Sequence, residues 1–445
     1  MKTDSIVFRM KQKQKSLVAG SLFSGGGLGD IGIEWGCGIP VIGACEIVHS
    51  RSSLLRKNFP NTQVFEGDIW KIKEEYIAFF KKILGGECPW LLTLSPPCQG
   101  MSSNGAGRIS AAIRDGKRPK EDERNRLILP GIEVLESLQP DWFVLENVKR
   151  MENTVIRNEM HESENILDCL SRRMKPFGYT IRSCVLDFRN YGVPHHRERL
   201  ITIGCRLPQI VLSVPPLNNS YEKKLSPLHP PATHGGVRLP SWVTLRQMVG
   251  DLPPLDSLSK PISKEDPYHC VPRWNESQYY WMKHTPEGET AFNNSICPTC
   301  GTAKKSQEDT SCYHCKSTLP VPQLSQNGQK RMIKGFKTSY RRMWWDRPAG
   351  TLTMNSGVIS SDLKGHPEQN RVLSLREIMR LSTLDFKEWG KEYDFSGIQL
   401  GKWDDSGSFS PRLVREVIGE SIPPLAMKCI VEHLLVCEKK YNHNK

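Results

Sequence analysis

The stretch Leu17-Val-Ala-Gly-Ser-Leu-Phe23-Ser-Gly-Gly-Gly-Leu-Gly-Asp30 decides the fold class. A short apolar run ends in glycines, and the residues after them open a helix. Glycines let the backbone approach a ligand, and a helix N-terminus offers N–H groups that have no partner within the helix. Gly27, Gly29 and Gly32 fit the G-x-G-x-x-G spacing of dinucleotide sites, a pattern that identifies nothing by itself.

Outward from this unit the first half alternates between strands and helices. Apolar runs recur at Val41–Cys45, Trp90–Leu94, Trp142–Leu145 and Leu200–Gly204, with helical candidates such as Asn125–Leu138 between them. Such alternation predicts an α/β fold, a mostly parallel sheet covered by helices, with ligands at the carboxyl ends of the strands. Glu46 ends the second strand, about 20 residues beyond the glycines, where an acid can accept both hydroxyls of a ribose. Asp68, after Gly67, ends a third strand and can accept from an adenine amino group. The alternative is a helix cap and solvated carboxylates; two acids at successive strand ends favour a ligand.

The chain has 445 residues, room for two or three domains or for one domain with a large insertion. Its 61 Lys and Arg against 48 Asp and Glu give a net charge of +13, which suits a polyanionic partner. No apolar run approaches the length of a membrane span, and the basic N-terminus lacks the apolar core of a secretory signal. A cytoplasmic, nucleoid-associated protein is expected, whose 14 Cys serve as thiols, metal ligands or a nucleophile rather than disulfides. From about residue 207 prolines become dense and periodicity fades, so 207–370 reads as a separate loop-rich module. Ser374-x-x-Glu377 then forms a capping box, and Pro423–Val436 has helical apolar spacing.

Ser95-Pro-Pro-Cys98-Gln-Gly follows the strand at 90–94. Paired prolines stiffen the turn and set the direction of the next side chain, and a thiol at a strand end is placed as a nucleophile. Glu146 ends another strand, and Arg197 and Arg199 stand just before a further one. These groups fit one reaction. A thiolate adding to carbon 6 of cytosine makes carbon 5 nucleophilic; an acid at ring N3 and an arginine at O2 stabilise the charge that develops. The base has to leave the duplex to be reached.

With these residues in place, the sequence resembles the C5-cytosine DNA methyltransferase family over about residues 18–205 and 345–436. The resemblance is carried by Phe23-Ser-Gly, Glu46, Gly67-Asp68-Ile69, Pro96-Pro97-Cys98-Gln99, Asp122-x-Arg124-Asn125-x-Leu127, Glu146-Asn147-Val148, Arg197-x-Arg199, Arg347-Pro348-Ala-Gly-Thr351-Leu-Thr353 and Gly419-Glu-Ser-Ile-Pro423-Pro424. It implies a Rossmann-like methyltransferase sheet with helices on both faces, and S-adenosylmethionine held by Phe23, Gly25, Gly27, Glu46, Asp68, Ile69, Leu127 and Ser421. It implies catalysis by Cys98, Glu146, Arg197 and Arg199, and a mobile loop at 99–121 whose Arg108, Arg114, Lys117, Arg118 and Lys120 suit phosphate contact. The implied organisation is a catalytic domain at 1–206, a target recognition domain at 207–370 and a return to the catalytic domain at 371–445. Leu28, His195 and Glu420 stand where the family usually has Gly, Gln and Asn.

Within the recognition region, Cys297-Pro-Thr-Cys300 and Cys312-Tyr-His-Cys315 are two C-x-x-C knuckles, a zinc-ribbon signal independent of the family pattern. With four cysteines present, His314 is a solvated residue rather than a ligand. Lys334–Trp345, basic and aromatic, suits the DNA backbone or stacking on bases. The partner expected is double-stranded DNA, met by a monomer. The absence of a large N-terminal regulatory region favours a stand-alone enzyme of restriction-modification or phage defence with a cognate nuclease. The rivals are an RNA cytosine-5 methyltransferase, whose tRNA branch has a small recognition region and a Cys-Phe-Thr segment missing here, and a non-catalytic DNA-binding relative.

Overall fold

The computed structural model describes residues 17–97, 123–215, 225–326, 329–333, 338–399, 402–403 and 409–442. Nine strands and five helices build its first half: β1 Ala19–Leu22, α1 Leu28–Cys37, β2 Val41–Glu46, α2 His49–Asn58, β3 Gln63–Glu66, α3 Ile69–Ile83, β4 Leu91–Leu94, α4 Ile128–Leu138, β5 Trp142–Asn147, β6 Val155–Arg157, β7 Ser163–Asn165, α5 Ile166–Met174, β8 Thr180–Asp187 and β9 Glu198–Cys205. Seven strands form one sheet in the order β3-β2-β1-β4-β5-β9-β8. The first five run parallel, whereas β9 is antiparallel to both β5 and β8. β6 and β7 pair as a separate hairpin.

Along β5 the side chains alternate between the two faces, as an extended chain requires. Phe143 and Leu145 join the core under α3, α4 and α5, with Tyr76, Ile132 and Leu170. Trp142 and Val144 join the opposite core, with Ile33 of α1 and Ile430 and Leu434 of α11, the long helix Pro424–Asn442. The sheet is thus covered on both faces. α11 is also anchored by a polar contact: Glu438 Oε1 accepts from the indole N–H groups of Trp90 and Trp142, 2.6 Å each.

Beyond β9 regular structure is sparse: α6 Pro208–Val211, α7 Leu245–Val249, α8 Glu276–Lys283 and the hairpin β10 Gln323–Gln326 with β11 Gln329–Met332. The packing does not follow a single cut at 207 and 370. Leu245, Val249, Met343, Trp345, Ala349 and Leu352 share one core with Leu28, Ile31 and Leu54. The part with cores of its own runs from Trp274 to Tyr340 and takes in Ile359 and Val372 further along the chain. The chain then returns through α9 Leu375–Leu381, β12 Ile398–Gln399, β13 Lys402–Trp403, α10 Pro411–Glu420 and α11. The expected capping box is present, with Ser374 Oγ accepting from Glu377 N and Glu377 Oε2 accepting from Ser374 N.

Candidate active site

A cavity of about 330 Å³ opens at the carboxyl ends of β1 to β4. Phe23, Gly25, Glu46, Asp68, Ile69, Leu127 and Ser421, all singled out in the sequence, line it, together with Ile47, Asp30, Ser95 and Pro97. The loop after β1 takes its shape from three left-handed residues, Phe23 at φ 58°, Gly25 at φ 57° and Gly27 at φ 79°. For Phe23 that conformation is costly, and residues held so tend to mark ligand sites. Glu46 fixes the loop. One carboxylate oxygen accepts from Gly25 N and the other from Val48 N, both at 2.8 Å. Each oxygen retains a second acceptor site, and Glu46 lines the cavity. Asp68 caps α3, accepting from Trp70 N at 3.1 Å.

The glycine spacing serves helix packing as well as the cavity, which Gly29 lines. Gly27 is not among the residues that line the cavity. A Cβ on Gly27 would meet Leu55 and Phe59 at 2.7 Å, one on Gly29 would meet Ile422 at 2.7 Å, and one on Gly32 would meet the Pro424 carbonyl at 2.3 Å. Gly27 thus lets α1 lie against α2, and Gly29 and Gly32 let it lie against the start of α11.

Asp30 was missed in the sequence. It is buried beside the cavity and accepts from Ser21 Oγ at 3.0 Å. Burial pushes its carboxyl up to about 7, although the Ser21 bond opposes the shift. Its signal was present, an acid in the first turn of a glycine-opened helix, but only tertiary packing buries it.

The second group of residues lies at the end of β5. Glu146 is 7% exposed, and its Oε1 lies 2.9 Å from Arg199 Nε on β9. The antiparallel register brings them together, with Asn147 opposite Leu200 and Glu146 opposite Ile201. Asn147, quoted in a motif but given no role, donates from Nδ2 to the Pro96 carbonyl at 2.9 Å, and its Oδ1 accepts from Val148 N at 2.8 Å. It fastens the proline turn to the strand that carries Glu146. Cys98, the 99–121 loop with its cations, and Asp122 lie outside the described residues.

Arg197 goes elsewhere. It is 1% exposed, and its Nη1 donates to the carbonyls of Leu352 and Gly419, each at 3.2 Å. It precedes β9, outside the ladder that aims Arg199 at Glu146. Its neighbourhood pairs instead with Ala349, which donates to Pro194 O and accepts from His196 N, both at 2.9 Å. Of the expected arginine pair, Arg199 meets the acid and Arg197 ties the sheet to the Arg347–Thr353 and Gly419 segments.

A family model described as C-5 cytosine-specific DNA methylase matches residues 18–435. The chain belongs to that family. The Type II methyltransferase M1.HgaI of Avibacterium volantium is 30% identical over 95% of this chain and 99% of its own length. The Type II methyltransferase M.NgoPII of Neisseria gonorrhoeae is 26% identical over 73% of this chain and 81% of its own. Among solved structures, a prophage-encoded E. coli protein described as a DNA modification methyltransferase aligns with a TM-score of 0.53 at 20% identity, over 95% of this chain and all of that one. A variant of Spodoptera frugiperda DNMT2 aligns with a TM-score of 0.52 at 15% identity, over 94% and 100%. These structural likenesses show the methyltransferase fold. The chain is a DNA cytosine-5 methyltransferase, and S-adenosylmethionine is the methyl donor expected for its family.

In this methylase the four knuckle cysteines come together. Their sulfurs all lie within 4.8 Å of one another, with Cys297–Cys315 and Cys300–Cys312 both at 3.6 Å. Zinc–sulfur bonds of about 2.3 Å in a tetrahedron put sulfurs roughly 3.8 Å apart. The cluster is therefore compatible with zinc. Two matching turns build it: Cys297 N donates to Thr302 O and Cys312 N to Ser317 O, while Gly301 and Lys316 take positive φ. Ser317 and Thr302 hydroxyls, 3.1 and 3.2 Å from their sulfurs, bring Cys297 down to about 7 and Cys300 to about 5. Such thiols are easily ionised, as metal ligands must be.

The described part of Lys334–Trp345 is not a free aromatic surface. Trp344 lies between the guanidinium groups of Arg341 and Arg347, at 4.9 and 4.6 Å, and Trp345 is buried edge-on against His366. No helix among the described residues is long and apolar enough to cross a membrane.

Proposed function

We propose that this methylase binds S-adenosylmethionine in the cavity beside Phe23 and methylates carbon 5 of a cytosine flipped out of double-stranded DNA, with Cys98 as nucleophile. The observation that carries this reading is the shared wall. Ser95 and Pro97 of the proline turn line the cavity, and Asn147 ties Pro96 to the strand bearing Glu146. Donor pocket, proline turn and acid thus adjoin.

The residues suit the donor. Phe23, Ile69 and Leu127 offer apolar walls for a flat ring, Asp68 an acceptor for its amino group, Glu46 free lone pairs for ribose hydroxyls, and Gly25 and Ser421 the walls of the loop side. When bound, the sulfonium would supply an electrophilic methyl group, its sulfur keeping the electron pair of the broken sulfur–methyl bond and leaving as a neutral thioether. The Cys98 thiolate adds to carbon 6, and the ring electrons pass to carbon 5. Glu146 bonds ring N3, Arg199 holds Glu146 and reaches ring O2, and Arg197 acts as a positioning residue. Once carbon 5 carries the methyl group, loss of its proton returns an electron pair to the ring and expels the thiolate.

The catalytic domain comprises 1–206 and 371–445, and target recognition falls within 207–370, where Cys297, Cys300, Cys312 and Cys315 hold a structural zinc. Similarity to Type II methyltransferases supports a place in restriction-modification or phage defence with a cognate nuclease. The test is base-by-base mapping of 5-methylcytosine on plasmid DNA from cells making the wild type, Cys98→Ser or Glu146→Gln. Methylation at one short motif in the wild type, absent from Cys98→Ser and reduced about 10²- to 10⁴-fold in rate for Glu146→Gln, is the expected result. Absence of 5-methylcytosine from wild-type DNA refutes it.

A further inference from the structure

The four-cysteine head carries positive charge that its own acids do not neutralise. Between Cys297 and Ile333 the sequence has Lys304, Lys305, Lys316, Lys330 and Arg331 against only Glu308 and Asp309. The Asp309 carboxylate is committed to its own loop, accepting from the backbone N–H groups of Lys305 at 3.0 Å and Ser306 at 2.8 Å. Lys305, Lys316 and Lys330 are exposed, and among the described residues none of them forms an ion pair with a carboxylate.

These lysines are also held. Lys305 Nζ sits 4.0 Å from the centroid of the Tyr313 ring. Lys316 Nζ donates to the Tyr313 carbonyl at 3.0 Å, and Lys330 Nζ donates to Thr318 Oγ1 at 2.6 Å. Tyr313 lies between Cys312 and Cys315 and is 44% exposed. Lys316 N donates to Cys312 O at 3.0 Å, so the knuckle turn itself sets where this lysine starts. The small core beneath consists of Cys297, Cys312, Leu319 and Val321. With so little apolar surface, the cysteine cluster is what keeps the platform rigid. A solvated lysine face leaves its long side chains free; here three are ordered around one cysteine turn and its hairpin, which lowers the entropy lost on engaging an anion.

We propose that Lys305, Lys316 and Lys330 on this head form a contact for the DNA phosphate backbone, separate from the catalytic cavity and indifferent to base sequence. The proposal rests on duplex DNA being the substrate. Phosphate contacts of this kind fix register and orientation and leave sequence reading to other residues.

The test uses the full chain with its metal. Binding to a fluorescein-labelled duplex of mixed sequence is followed by anisotropy across a potassium chloride series, for the wild type, K305A/K316A/K330A and K305R/K316R/K330R. Each lost phosphate contact lowers the slope of log K against log salt by about 0.9, so the alanine variant should lose about 2 to 3 of slope and the arginine variant should keep it. S-adenosylmethionine binding by calorimetry on the same samples should stay at the wild-type value, which reports an intact fold. An alanine variant with the wild-type slope and intact donor binding overturns the proposal. A wild type that binds duplex with this slope but deposits no 5-methylcytosine overturns the catalytic reading and leaves the phosphate contact standing.

Discussion

Gly32→Ala should destabilise the enzyme through the contact between α1 and α11. The added Cβ would lie 2.3 Å from the Pro424 carbonyl oxygen, 2.7 Å from Lys428 N and 3.0 Å from Met427 Cβ. Two of these are backbone atoms of a helix, which cannot swing aside as a side-chain tip can. Ordinary contact needs about 3.5 Å, so α11 has to retreat by roughly 1 Å. Overpacking of this size costs about 1 to 3 kcal/mol. Met427 and Ile422 line the cavity, so the retreat should also weaken S-adenosylmethionine binding. Gly38→Ala at the end of the same helix is the control. Its Cβ meets nothing within 4 Å, but φ is 70°, so only the backbone cost of about 1 kcal/mol applies and donor affinity should be unchanged. Urea unfolding followed by tryptophan fluorescence, with calorimetry for the donor, measures both. Equal loss of stability in the two variants, with equal donor affinity, would refute the close-packing argument.

Two further outcomes follow from the chain beyond β9. Glu377 is buried; burial alone would raise its pKa, yet the Arg371 guanidinium, 2.6 and 2.7 Å from its oxygens, holds it down at about 2. Its folded value lies below its unfolded one of 4.5, so the stabilisation is complete above about pH 4.5 and is lost as pH falls towards 2. Glu377→Gln, which leaves Arg371 uncompensated, should cost about 3 to 5 kcal/mol at pH 7 and progressively less below pH 4.5 in denaturant titrations. Titration of the purified enzyme with a thiol-reactive mercurial in the presence of a zinc indicator should release about one zinc per chain and lower the melting temperature, whereas Cys300→Ser should carry markedly less metal.

The parts of the site written in contiguous residues were legible. The glycine loop, Glu46, Asp68, the Ser374–Glu377 box and the two knuckles each depend on spacings of a few residues, and the structure places them as that spacing requires. What was not legible depends on distant partners. The motif Arg197-x-Arg199 treats two arginines alike, yet the start of the β9 ladder separates them, and only the antiparallel register with β5 shows which one reaches Glu146. Gly32 looked like part of a ligand signature because the helix that needs it to be small begins almost 400 residues later, whereas Gly29 both lines the cavity and packs on Ile422. β8 escaped notice since Thr-Ile-Arg-Ser-Cys lacks a clean apolar run and acquires its place from β9. The recognition boundary blurred for the same reason: Trp345 and Leu352 belong by sequence to the inserted region and by packing to the core around Leu28.

The double clasp of Glu438 on Trp90 and Trp142 has a consequence for biosynthesis. The first seven-stranded half leaves the ribosome well before α11, and at about 5 to 20 residues per second the intervening 218 residues take roughly 10 to 45 seconds to appear. Through that interval the core of Trp90, Trp142 and Ile33 lacks Ile430 and Leu434 of α11, and the cavity lacks its Ile422 and Met427 wall. A nascent methylase is therefore without its completed cavity until α11 emerges, so the site closes after the sheet is made rather than with it.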